Sequence, residues 1–164
     1  MTDTERAAAI RKELKGLGIT SKQVGVRCTR GGSIRCTIKD LAVSEALVKK
    51  IASKYEVAHW DDYAGEYLEG GNTFVFVDYD YGSLREAAAG YRAKAEEILS
   101  APRKGDCTLL AQSGGQRLYY QPDMGRGELW LEGGKDRRQR FAAHCVQALA
   151  ESLAILKYQR GIVV

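Results

Sequence analysis

The sequence predicts an α+β fold in which antiparallel sheet, built from hairpins, is covered by about four helices, in the order αββαββ followed by αβββα. Three observations carry that prediction. Apolar residues recur at helical spacing in four segments, near residues 4–15, 44–55, 83–100 and 136–158. Short alternating runs lie between them, punctuated by Gly-Gly pairs that mark tight turns. The strands come two or three at a time between helices, which indicates hairpins and not the strand–helix alternation of a parallel nucleotide-binding sheet. A chain of 164 residues favours a single domain, with possible sub-halves at 1–82 and 83–164.

The first helix is expected from Thr4 to Lys15, with Ala7, Ile10 and Leu14 inward and Gly16 and Gly18 ending it. In the next two strands Val24, Val26 and Cys28 share a face with Ile34, Cys36 and Ile38. Paired residues must then share parity, and a three-residue loop from Gly31 to Ser33 places Cys28 opposite Cys36. A second helix runs from an N-capping Ser44 to Tyr55, and Trp60 anchors the segment after it to the core. Glu66-Tyr67 and Thr73–Val77 read as a hairpin around Gly70-Gly71-Asn72. Its second arm is β-branched or aromatic on both faces, as in a central strand covered on each side. A third helix starts at the capping box Ser83-Leu84-Arg85-Glu86 and stops before Pro102. Strands follow at 107–112, 117–121 and 128–131, then a helix from Asp136 to about Tyr158, closed by Gly161.

The net charge is +4, with all the excess in residues 84–164, a weak field that favours polyanions without identifying one. No apolar run approaches the roughly 20 residues that span a bilayer. The start of the chain lacks a secretory pattern, so a cytoplasmic location without membrane contact is expected. Cys28, Cys36, Cys107 and Cys145 have no C-x-x-C spacing. They read as half-buried thiols and not as a zinc ribbon or a redox dithiol, and no motif indicates a cofactor.

Four groups of residues could carry function. Arg27, Arg30, Arg35 and Lys39 on the outer face of the first hairpin form a basic ribbon able to meet phosphates. Lys135, Arg137, Arg138 and Arg140 open the last helix, where they oppose its dipole unless an anion sits there. His59, Asp61, Asp62, Asp78 and Asp80 are acidic or metal-ligating types that could begin a Mg²⁺ or Mn²⁺ site, as in a nuclease. Tyr79, Tyr81, Tyr119 and Tyr120 alternate on strands near charged loops, the composition that protein interfaces enrich.

Residues 7–90 resemble a domain of the large polyvalent proteins of phages and conjugative elements. The resemblance rests on the helix Ala9-Ile10-Arg11-Lys12-Glu13-Leu14, the ribbon Val26–Arg35 with its Arg30-Gly31-Gly32-Ser33 turn, and the strand Thr73-Phe74-Val75-Phe76-Val77 before a tyrosine. It implies a context and no active site: a protein of a mobile element in a bacterial host. The expectation is a non-enzymatic binding protein whose partner is a host protein or nucleoprotein complex, and whose task is to inhibit a nucleic-acid-based defence system. Direct nucleic-acid binding by the two basic groups, and metal-dependent catalysis by the acidic group, are the alternatives.

Overall fold

A computed structural model describes residues 1–29, 31–61, 63, 65–67, 71–101, 107–122, 127–133 and 138–164, with the backbone alone at Asp61, Glu66, Arg138 and Gln139. The fold is α+β, with five α-helices and two main sheets, of three and four strands, among the described residues. The chain divides into two compact units, Met1–Asp80 and Tyr81–Val164. None of the described helices is long and apolar enough to cross a membrane.

In the first unit, α1 (Asp3–Gly16) starts earlier than expected because Thr2 caps it. The Thr2 hydroxyl accepts from the Glu5 N–H, and the Glu5 carboxylate accepts from the Thr2 N–H at 2.7 Å, a reciprocal pair that satisfies two otherwise unpaired donors. The Thr2 N–H first, and its hydroxyl second, hold the Glu5 carboxyl below its ordinary range. Strands β1 (Val24–Thr29) and β2 (Ser33–Ile38) form the predicted hairpin. Ser33, expected in the loop, pairs with Thr29 instead, because Gly31 and Gly32 both take positive φ and complete the turn before it. Parity is kept, but Val26 faces Cys36 and Cys28 faces Ile34.

Helix α2 (Glu45–Ala52) continues as a 3-10 turn through Tyr55. The Tyr79 hydroxyl, in place of the Ser44 side chain, accepts from its first N–H. Lys54 and the Tyr55 hydroxyl both bond the Glu13 carboxylate, at 2.6 and 2.5 Å, which ties α2 to α1. Those two bonds hold the Glu13 carboxyl below its ordinary range.

The expected hairpin around Gly70-Gly71-Asn72 does not form. Strand β4 (Glu66–Tyr67) pairs with β3 (Trp60–Asp61), while β5 (Phe74–Tyr79) runs parallel to β2 from Ser33↔Phe74 to Ile38↔Tyr79. The α2 crossover permits this pairing. Sheet order is β1-β2-β5, so β2 is central and β5 is an edge strand. Helices α1 and α2 cover one face, where Ile10, Leu14, Val48 and Ile51 pack on Val24, Val26, Ile34, Cys36, Ile38 and Val77.

In the second unit, the single helix expected from Ser83 is two, α3 (Tyr81–Ala89) and α4 (Arg92–Ser100), broken at Gly90-Tyr91 where glycine is a poor helix former. Strands β6 (Thr108–Ser113), β7 (Gln116–Gln121), β8 (Glu128–Glu132) and β9 (Arg138–Ala142) form an antiparallel meander. Strand β9 replaces the expected start of the last helix. In β9, Arg140 lies opposite Trp130 and Phe141 opposite Leu129, whereas a helix would gather the cations at its positive end. Helix α5 (Val146–Arg160) begins later, capped by the Cys145 sulfur, and ends at Gly161 with φ 67°. Leu149, Leu153 and Leu156 join Leu118, Tyr120, Leu129, Leu131 and the returning Ile162 in the core of this unit.

Candidate nucleic-acid interface

The three-stranded sheet leaves its second face open, and the register states what that face carries. Thr29, Ser33 and Phe74 form one row across the strands; Arg27, Arg35 and Phe76 form the next; Gly25, Thr37 and Asp78 form the third. Arg27 and Arg35 are exposed, and Phe76 is 46% exposed. The Arg35 guanidinium carbon lies 5.9 Å from the centre of the Phe76 ring. A ring with a cation beside it, on a flat backbone surface, is a stacking platform for a planar ligand.

The aromatic surface continues past Phe74. Tyr67 meets Phe74 edge to face at 5.4 Å between centres, and Trp60 meets Tyr67 likewise at 4.9 Å. Trp60 and Tyr67 are 51% and 52% exposed, so Trp60 is a surface ring and not the expected core anchor.

Lys39 follows β2 with the parity of Arg35. A Cβ built on Gly25 would stand 3.6 Å from Lys39 Cε, so the lysine stem lies across the glycine. Together Arg27, Arg35 and Lys39 line a hollow of about 400 Å³ that also includes Thr29, Thr37 and Asp80. Among the described residues no ion pair holds Arg27, Arg35 or Lys39. Arg30, the fourth expected member of this ribbon, lies outside the described residues.

The second basic group is not assembled as expected. Arg138 and Arg140 stand on β9 and not at a helix N-terminus, while Lys135 and Arg137 lie outside the described residues. Arg140 pairs with Glu128 at 3.5 Å and covers the Trp130 ring at 4.9 Å.

The acidic group is divided. Thr73 bridges to Val57 at the start of β5, and His59 N–H donates to Asn72 there, whereas Asp78 and Asp80 lie at the other end. Five residues of strand separate Thr73 from Asp78 by about 16 Å. Among the described residues no three of His, Cys, Asp and Glu converge on a metal position. Asp62 lies outside them, as does the Asp61 side chain.

The tyrosines separate as well. Tyr79 packs on the first core and Tyr120 is buried in the second, so neither is an exposed contact. Tyr81 is 68% exposed, with the Arg85 guanidinium 5.9 Å from its ring. Tyr119 stands on the outer face of the second sheet opposite Trp130. Of the thiols, Cys36 is buried and the other three are exposed, which corrects the half-buried reading.

The rings Phe74, Phe76, Tyr67 and Trp60 were not among the sequence candidates. A signal for the first two was present: in Thr73–Val77 the even positions carry rings and the odd ones β-branched residues, a difference between two faces. No protein-family model, curated protein or solved structure matches this chain.

Proposed function

We propose that the chain is a non-enzymatic binding protein that holds single-stranded nucleic acid on the open face of the β1–β2–β5 sheet. The observation that carries this reading is the row Arg27–Arg35–Phe76, two guanidinium groups that no ion pair among the described residues holds, in line with an exposed ring. Unpaired bases stack on Phe76 and on the rings beyond Phe74, while the arginine forks and Lys39 take the phosphates. A duplex keeps its base faces covered by its own stack, so the rings add affinity for single strands alone. The acidic residues Asp78 and Asp80 stand on and just after β5, and repel phosphate from that edge of the face toward β1.

The test is fluorescence anisotropy of a labelled single strand of about 12 nucleotides, beside its duplex, at about 50 mM salt and upward. Tighter binding of the single strand, weakening steeply with salt, is expected. No binding at the lowest salt contradicts the reading.

A second reading is favoured by a different observation. Leu109, Tyr119, Trp130 and Arg140 form one row across the outer face of the four-stranded sheet, a set of the types that protein interfaces enrich. It suits a protein partner in a bacterial host, including a nucleoprotein complex of a defence system. Affinity capture from bacterial lysate with wild type and with Trp130→Ala tests it, and a partner retained equally by both chains would remove it.

A further inference from the structure

Resting on that reading, we propose that the sugar–phosphate backbone of the bound strand leaves the open face, turns around the free edge of β1 and enters the groove between β1 and α1, where Arg11 and Lys15 hold it. Strand β1 is an edge of its sheet. Beside it lies a groove of about 490 Å³ lined by Arg11, Lys15, Ile19, Thr20 and Ser21 from α1 and the loop after it, and by β1 itself. Arg27, Lys39 and Gly25 line both this groove and the hollow on the open face, so the two concavities meet at β1. Among the described residues no carboxylate lines the groove.

The cations form a continuous track: Arg35 and Arg27 on the face, Lys39 across Gly25, then Arg11 and Lys15. Arg11 and Lys15 are exposed and one helical turn apart, and no ion pair among the described residues relieves their mutual repulsion. One Arg11 nitrogen donates to the Val26 carbonyl at 2.7 Å, which fixes the guanidinium at the strand edge. Its remaining N–H groups are available to a phosphate. Lys15 also complements the helix C-terminus, so binding is the readout and stability is not. The turn around the edge suits a flexible single strand and not a duplex, whose persistence length is about 150 base pairs.

The experiment compares wild type, Lys15→Gln and the double variant Arg11→Gln/Lys15→Gln on single strands of about 4 and about 12 nucleotides. For the longer strand, the slope of log affinity against log salt should fall by about 0.7 in the single variant and about 1.4 in the double. The 4-nucleotide strand, which the open face accommodates, should bind all three chains alike. An unchanged slope for the longer strand, in chains that Phe76→Ala still weakens, overturns the groove. Failure of wild type to bind either strand overturns instead the reading on which the groove rests.

Discussion

Both sheets are covered by helices on one face and open on the other, and the two open faces differ in how their cations are satisfied. On the four-stranded sheet Arg140 pairs with Glu128 and covers Trp130, and Arg117 stands opposite Glu132. On the three-stranded sheet Arg27 and Arg35 are direct neighbours across the strands, with no acid in their row. Like charges directly opposite in a sheet oppose its pairing. The first face therefore carries a local cost that a bound polyanion would relieve, while on the second Arg140 already has Glu128 as its partner.

The largest expected effect concerns the platform beneath the basic face. Ile34 is fully buried at the centre of the first core, and Ile34→Ala should cost about 2–5 kcal/mol, read by urea denaturation. A loss well under 1 kcal/mol would show that β2 does not hold the sheet together. Next in size, Arg27→Ala with Arg35→Ala should remove about 1.4 from the salt slope of single-strand binding, whereas Arg140→Ala should leave it unchanged. Equal losses would erase the contrast between the two faces.

A smaller effect separates the thiols. Burial raises the Cys36 thiol from its ordinary 9.0 to about 11, slightly offset by Arg11, while Cys107 and Cys145 in the other unit are exposed. At pH 8 a thiol reagent should modify Cys28, Cys107 and Cys145 quickly and reach Cys36 only on unfolding. Because the folded state retains this proton more strongly, its contribution to stability is present below about pH 9 and is lost as pH rises through about 11. Fast reaction of all four thiols would contradict the packing of the first core.

Much of this architecture was legible. Alternation placed β1, β2, β7 and β8, and helical spacing placed α1, α2 and the body of α5, since each buries one face and the pattern records which. The misreadings have a common cause in partners distant along the chain. Phe74 and Phe76 look like buried residues until α1 and α2 are both known to cover the opposite face of the sheet. Arg138–Ala142 reads as the opening of a helix until β8 supplies Trp130 and Leu129 as its register. Charge misled in the same way. The excess of cations lies in residues 84–164, yet Arg27 and Arg35, which no ion pair among the described residues holds, stand in the first unit, where acids and bases balance in number. A sum over a segment does not show which charges meet. The basic ribbon was legible as residues, but the rings beside it and the groove that Arg11 and Lys15 line were not, because they come from other elements.

The most direct test of the central claim compares one ring from each open face. Phe76→Ala and Trp130→Ala are titrated with the same single strand at low salt, with far-UV circular dichroism confirming that both chains are folded. The account predicts a loss of about 1–3 kcal/mol of binding for Phe76→Ala, on the order of tenfold to more than a hundredfold, and less than a twofold change for Trp130→Ala. Undiminished binding by Phe76→Ala, or a greater loss in Trp130→Ala, would contradict it.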